Sequence, residues 1–81
     1  MAGAESGVTM TYMSAAAIAD DLIARIRAGQ YPPDSALPSF ADLADRYNCP
    51  QPRIKHAMVR VGITGVAEYR QGKGWYVKGE Q

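Results

Sequence analysis

The chain has 81 residues, a net charge of +1 at pH 7 and one cysteine, Cys49. This length fits one small domain with a modest core, and a lone cysteine excludes an internal disulfide, so the composition suits a reducing cytoplasm. No apolar run approaches the roughly 20 residues of a membrane-spanning helix, and the first residues lack the basic and long apolar regions of a signal peptide.

The near-neutral total hides an uneven distribution of charge along the chain. Residues 1–45 contain two arginines and six acidic side chains, a net charge of −4, whereas residues 46–78 contain seven cationic side chains and one acidic side chain, a net charge of +6. A cationic patch confined to one part of a domain is typical of nucleic-acid-binding proteins. We therefore expect the second half of the chain to contact a negatively charged partner.

Periodicity divides the chain into an arm, a domain and a tail. Residues 1–13 are small and polar without periodicity, and we interpret them as a flexible N-terminal arm. Residues 14–78 carry the helical and strand patterns and form the domain, and residues 79–81 are a C-terminal tail.

The first helix is predicted from Ala15 to Ala28, because Ser14 can cap its start and Gly29 can end it. Adjacent residues on a helix do not share a face, so we interpret Asp20 and its neighbour as solvated rather than as a catalytic pair. The core-facing stripe of this helix recurs every three or four residues at Ala15, Ile18, Ala19, Leu22, Ile23 and Ile26.

A proline-containing turn separates the first helix from the second. Pro32 and Pro33 fix φ and remove two backbone donors, which excludes helix at this point. Residues 35–38 are predicted to form a very short strand, with Leu37 in the core. The second helix begins after Ser39, a good N-cap, and ends at Asn48, which tolerates a left-handed conformation.

A third helix is predicted to start near Gln51, because a proline is tolerated in the first helical turn. Two short amphipathic helices joined by a tight turn are typical of a helix-turn-helix DNA-binding unit. The residues from Gly62 to Gly65 are predicted to break this helix. Its polar face is cationic with no acidic neighbour, and consists of Arg53, Lys55, His56 and Arg60.

Two strands are predicted after the third helix, at residues 66–70 and 75–78, joined by the glycine-rich residues 71–74. Three helices followed by a two-stranded hairpin make an α+β fold of the winged helix-turn-helix type. The tip of the hairpin, or wing, is predicted to approach a phosphate or a groove wall through Arg70, Gln71, Gly72 and Lys73.

The chain resembles the GntR family of bacterial winged-helix regulators from about Ile18 to Val77. The resemblance is carried by the sequences GQYPP (29–33), LPS (37–39), IK-AM (54–58) and GKGWYV (72–77). It implies that the third helix enters the major groove of DNA and that the wing tip lies at the minor groove. The contact positions that it implies are Gln51, Arg53 and Lys55 in the helix, Gln71, Gly72 and Lys73 in the wing, and Ser39 at a phosphate.

The chain departs from the family pattern at contact positions. Members usually have an arginine where this chain has Ala41, and the arginine and threonine usual in the turn sequence are here Gln51 and Arg53. Arg53 can make a bidentate contact with guanine and Gln51 with adenine. Members also usually carry a larger effector-binding domain, which these 81 residues do not include. The chain is therefore either the DNA-binding part of a longer protein or a small stand-alone regulator. We favour the stand-alone regulator and expect no small-molecule effector within this chain.

These observations predict a sequence-specific regulator of transcription, a repressor, that binds double-stranded DNA in the cytoplasm in association with the nucleoid. A homodimer on a palindromic or repeated site is an open expectation. Two alternatives remain: a winged helix used for protein contact, with Tyr69, Trp75 and Tyr76 as an exposed aromatic patch, and an accessory factor that bends DNA in site-specific recombination.

We expect no enzymatic activity, cofactor or metal site. His56 is the single histidine and lies on the cationic helix, where a groove contact is more common than a catalytic role. Cys49 has neither an adjacent histidine nor a C-x-x-C partner, and we interpret it as a small buried residue in the turn.

Overall fold

A computed structural model describes residues 13–79, which form three helices and a two-stranded antiparallel hairpin. The helices are α1 (Ala15–Arg27), α2 (Phe40–Tyr47) and α3 (Gln51–Thr64), and the strands are β1 (Ala67–Arg70) and β2 (Gly74–Val77). This confirms the predicted winged helix-turn-helix. Most of the proposed arm, residues 1–12, lies outside the described residues, as do residues 80–81 of the tail.

The core lies where α1 and α2 pack on α3 and the hairpin closes over one end. The apolar stripes of α1 and α3 face each other, because each presents a buried side chain every three or four residues. Leu37 reaches the core from the connection before α2, as predicted. The largest fully buried side chains of this core are Ile18, Leu22, Leu43, Ile54, Met58, Val61 and Val77.

Local capping fixes the ends of the first two helices. The hydroxyl of Ser14 accepts from the amide of Ala17, and α1 ends at Arg27, one residue before the predicted end. The hydroxyl of Ser39 accepts from the amide of Asp42 at 3.1 Å, and Asn48 adopts the left-handed conformation with φ of 54°. These caps satisfy backbone groups that the helix ends would otherwise leave without hydrogen bonds.

The predicted break from Gly62 to Gly65 is wrong in part, because α3 continues through Gly62 to Thr64. Only Gly65, with φ of 86°, ends the helix. Gly62 lies inside the helix, and the ring of Trp75 occupies the space beside it. A Cβ at position 62 would lie 2.9 Å from Cη2 of that ring, so a larger residue would meet the ring. This glycine therefore serves packing rather than termination.

The hairpin is paired on both edges of β2. On one edge Tyr69 of β1 lies opposite Trp75, and Ala67 lies opposite Val77. On the other edge residues 34–37 run alongside β2, with backbone hydrogen bonds from Asp34 to Val77, from Val77 to Ser35 and from Leu37 to Trp75. The very short strand predicted at residues 35–38 is present as an isolated bridge between Ala36 and Tyr76.

Cys49 is half-buried and packs against the core at the turn between α2 and α3, so the predicted burial is only partial. Each predicted strand is one residue out of place at its start, since the strands begin at Ala67 and Gly74. None of the helices within residues 13–79 is long and apolar enough to cross a bilayer.

Candidate nucleic-acid interface

The first half of α3 presents polar side chains outward because its apolar side chains are anchored inward. Ile54, Ala57 and Met58 are at most 1% exposed, which fixes the rotation of the helix about its axis. Gln51, Lys55 and His56 are exposed as a consequence, and Arg60 is exposed further along the helix. This part of the helix offers a cationic, hydrogen-bonding face to a partner.

A groove of about 470 Å³ brings three of the predicted contact residues together. Its walls are the start of α2, the start of α3 and the hairpin, so residues far apart in sequence line one surface. Ser39, Gln51 and Lys73 all line it, along with Tyr69 and Trp75. We call it the reading groove.

The cap of α2 leaves Ser39 able to donate to a ligand. Its hydroxyl oxygen accepts from the amide of Asp42, and Ser39 is exposed on the wall of the reading groove. A hydroxyl that accepts one hydrogen bond still has its own proton to donate. The positive end of the helix dipole adds a favourable field for an anion at this point.

Arg53 differs from its neighbours in the first turns of α3. It is half-buried, and its Nη1 donates to the carbonyl oxygen of Met13 at 3.4 Å. Arg53 lines a second groove beside the turn, with Asp45, Asn48 and Gln51. The structure thus places the predicted guanine-reading arginine at the side of the helix next to the start of the described chain.

Arg70 lies at the base of the wing and is engaged by the protein itself. Its Nε contacts a carboxylate oxygen of Glu68 at 3.0 Å, its Nη2 contacts Asp34 at 3.3 Å, and its guanidinium lies 4.4 Å from the ring centre of Tyr76. The hydrogen bonds to Glu68 and then to Asp34 raise the pKa of Arg70. These contacts join the wing to the connection before α2.

The wing tip exposes three of the predicted contact residues, Gln71, Gly72 and Lys73. The amide of Lys73 donates to the carbonyl of Arg70 at 2.9 Å, which closes the turn. Gly72 and Gly74 have φ of 78° and 109°, values that favour glycine over other residues. Gln71 and Lys73 therefore lie at the tip of a tight turn, and Lys73 borders the reading groove.

The family model described as bacterial regulatory proteins, gntR family, matches residues 14–77. The chain belongs to the GntR family. Among curated protein sequences, none matches the chain significantly.

Solved structures of GntR proteins share the fold. A GntR protein of Streptococcus agalactiae is 28% identical, with a TM-score of 0.71, over 79% of this chain and 31% of its own length. A GntR-family transcriptional regulator of Listeria monocytogenes is 22% identical, with a TM-score of 0.71, over 78% of this chain and 55% of its own length. This chain therefore spans about a third to a half of these two longer regulators.

The DNA-binding domain of AraR has been solved in complex with its operator ORR3. It is 20% identical to this chain, with a TM-score of 0.73, and the match covers 91% of this chain and 92% of that domain. At this identity the likeness shows the fold. The GntR-family assignment identifies the chain as a DNA-binding domain of the kind found in regulators of transcription.

Sequence reasoning missed a polar cluster that supports α2 within this GntR domain. Asp21, interpreted as solvated, accepts a hydrogen bond from the hydroxyl of Tyr47 at 2.6 Å and another from Nε of Arg25 at 2.8 Å. These two hydrogen bonds lower the pKa of Asp21, while burial and then the bond to Asp21 raise the pKa of Tyr47.

The i,i+4 spacing of Asp21 and Arg25 was a signal for part of this cluster. Tyr47 lies 26 residues further along the chain than Asp21, and its helical periodicity predicts only that it faces inward. A second link, from Nη1 of Arg46 to the hydroxyl of Tyr31 at 3.0 Å, joins α2 to the proline-containing turn. Both links position α2, and with it the wall of the reading groove.

Proposed function

We propose that this GntR-family chain is a sequence-specific double-stranded DNA-binding protein that represses transcription by occupying an operator. The observation that carries the proposal is the reading groove. It gathers Ser39, Gln51 and Lys73 beside the exposed cationic half of α3. Family membership supports DNA as the partner, and the net charge of +6 on residues 46–78 supports an anionic one.

The roles of the residues follow from their positions. Gln51 is exposed at the start of α3 and is assigned to read adenine through its side-chain amide. Arg53 is assigned to read guanine, for which its guanidinium exchanges the long contact with Met13 for a base edge. Lys55 and His56 lie on the same exposed half-helix and contact groove walls.

Phosphate contacts are assigned to Ser39, at the start of α2, and Lys73, in the hairpin, which both line the reading groove. Gln71 and Gly72 bring the wing backbone to the minor groove or its phosphates. Arg70 has two carboxylate partners and a ring partner within the domain. We therefore assign it to hold the wing in place, which modifies its predicted role as a contact residue.

Repression fits a small domain of this kind, because occupation of an operator is enough to exclude a polymerase and needs no separate activating surface. One domain offers a small interface with DNA, so useful specificity requires two copies on paired half-sites. The proposed site of action is the cytoplasm, where the protein is associated with the DNA of the nucleoid. The operator of AraR is that protein's own, and the altered turn residues Gln51 and Arg53 predict a different one here.

The test is selection of bound duplexes from a random pool with the full chain, followed by sequencing. We expect an enriched motif that is palindromic or repeated, with half-sites about one helical turn, roughly 10 base pairs, apart. Direct titration of the enriched duplex and a scrambled duplex provides the control. Absence of any enriched motif, with equal affinity for both duplexes, would rule out sequence-specific regulation.

A further inference from the structure

The reading groove has on its wall an aromatic side chain that has so far been given no role in binding. Tyr69 of β1 is 59% exposed, more than any other aromatic side chain within residues 13–79. It lines the groove together with Ser39 and Lys73, the two residues assigned to phosphates. Tyrosine is enriched at interfaces because it joins an apolar ring to a polar end, so its position on this wall marks it as a candidate contact.

The ring of Tyr69 rests on a support that is itself anchored. Tyr69 lies directly opposite Trp75 in the hairpin, so the two side chains share one face. Their rings pack edge to face, with centres 5.7 Å apart and planes at 65°. Trp75 is half-buried, packs against the core and lies beside Gly62 of α3. A side chain held in this way loses little conformational entropy when it binds a partner.

The hydroxyl of Tyr69 differs from two other tyrosine hydroxyls of the domain. The hydroxyl of Tyr47 donates to Asp21, and that of Tyr31 accepts from Arg46. In the part of the chain that the structure describes, no hydrogen bond engages the hydroxyl of Tyr69, whose one contact of note is with the ring of Trp75. A phenolic hydroxyl can donate and accept, so this one is available to a ligand from outside the domain.

The chemistry of the groove indicates a phosphate as that ligand. The bases of a duplex are stacked on one another, so the ring cannot stack on a base as it would on a single strand. Tyrosine hydroxyls do donate to the phosphates of duplex DNA. Among the described residues that line the groove, Lys73 is the one charged side chain, so no carboxylate there repels an anion.

We propose that Tyr69 is a phosphate contact, its hydroxyl donating to a backbone phosphate that enters the reading groove beside Ser39 and Lys73. The proposal rests on the proposed function, since it requires duplex DNA in the groove. A phosphate contact carries no sequence information, so Tyr69 contributes affinity to operator and random DNA alike. Because the hydroxyl is neutral, it neutralises no phosphate and releases no counterion, which sets Tyr69 apart from Lys73.

The first test is Tyr69→Phe, which removes the hydroxyl and keeps the ring on Trp75. Fluorescence anisotropy at several salt concentrations gives its affinity for the operator and for random DNA. We expect both affinities to fall about five- to tenfold, as for the loss of one hydrogen bond to a charged group. The slope of log affinity against log salt should stay that of the unchanged chain.

The matched control is Tyr76→Phe, which removes the same hydroxyl from the other face of the hairpin. Tyr76 lies opposite Glu68, and its ring packs under the guanidinium of Arg70. This variant should bind both duplexes as the unchanged chain does. Urea denaturation of the two variants establishes that each is folded under the conditions of the titration.

The second test locates the phosphate. Single phosphates of the operator are replaced by neutral methylphosphonates, and the loss of affinity at each position is measured with the unchanged chain, Tyr69→Phe and Tyr76→Phe. At one position in each half-site the loss should be about threefold smaller for Tyr69→Phe, because that variant has already lost the contact. The control should show the losses of the unchanged chain at every position.

Three outcomes would overturn the role of Tyr69. They are a Tyr69→Phe variant that binds both duplexes like the unchanged chain, a loss confined to the operator, which indicates a base contact, and a reduced salt slope, which indicates a displaced Lys73. Failure of the proposed function is seen separately. An unchanged chain that binds operator and random DNA equally would refute sequence specificity, while the effect of Tyr69→Phe on random DNA would still decide on the phosphate contact.

Discussion

Gly62 of α3 lies directly against the indole of Trp75 in β2, so that a Cβ at position 62 would lie 2.9 Å from Cη2 and 3.1 Å from Cζ3. Real Cβ atoms do not approach a ring this closely. The missing side chain at position 62 therefore sets how near the wing can approach α3. This contact, formed across thirteen residues, fixes the wing relative to the second half of α3.

Gly62→Ala should lower the free energy of unfolding by about 1 kcal/mol. Alanine gains about 1 kcal/mol over glycine inside a helix, but overpacking against the ring costs about 1–3 kcal/mol. In a Trp75→Phe background the smaller ring removes the clash, so the same alanine should be neutral or stabilising. Urea denaturation of the four proteins measures this coupling, and an identical effect of the alanine in both backgrounds would contradict the packing role.

The position of Gly62 shows where local sequence signals stop. Ser14, Ser39 and Asn48 were recognised as caps because a cap depends on a residue and its near neighbours. A glycine near a predicted helix end has the same local appearance whether it ends the helix or makes room for a ring. Only the tertiary contact with Trp75 distinguishes the two, which is why the end of α3 was predicted too early.

The candidate site likewise contains residues whose environment was predictable from local sequence and residues whose environment depends on distant contacts. The exposure of Gln51 and Lys55 follows from the buried stripe that starts at Ile54, and periodicity was sufficient to predict it. The contact between Arg70 and Asp34 was not predictable, because Asp34 lies 36 residues earlier in the chain. Charge alone marked Arg70 as a DNA contact, whereas its two carboxylate partners and the ring of Tyr76 are the basis of our proposal that it holds the wing.

Tyr47→Phe should destabilise the domain by about 1 kcal/mol. The hydroxyl of Tyr47 donates to a charged carboxylate, a bond worth about 1.5–3 kcal/mol when well buried. Asp21 is about one-third exposed, which reduces that contribution. Thermal and urea unfolding at pH 7 measure the loss, with Tyr76→Phe as a control whose ring packs under Arg70.

The same cluster makes stability depend on pH in acid. The pKa of Asp21 is below its ordinary value of 3.8 because Tyr47 and Arg25 donate hydrogen bonds to the charged form. Its contribution is therefore present above about pH 4 and is lost as the pH falls through the lowered pKa. Asp21→Asn should flatten the fall in unfolding free energy between pH 5 and pH 2, and an unchanged slope would show that other carboxylates govern acid unfolding.

Arg53→Ala should sharply reduce the preference for the operator over random DNA. A bidentate contact with guanine is worth about 1–3 kcal/mol of discrimination, so its loss should weaken operator binding by about tenfold or more while random binding changes little. Arg53→Lys is the informative companion, because a lysine keeps the charge without the planar fork. Fluorescence anisotropy with both duplexes gives the two affinities. Equal losses on both would assign Arg53 to the phosphate backbone.

Lys73 and Arg70 are both cationic residues of the wing, and the dependence of affinity on salt should separate them. With about five phosphates neutralised, log affinity should fall against log salt with a slope of about −4 to −5. Lys73→Ala removes a phosphate contact, so it should weaken operator and random binding alike and reduce the slope by about one. Arg70→Gln should lower affinity with the slope unchanged, since the guanidinium holds Glu68 and Asp34 rather than DNA. A slope reduced equally in both variants would place Arg70 at the DNA backbone, as its charge alone suggests.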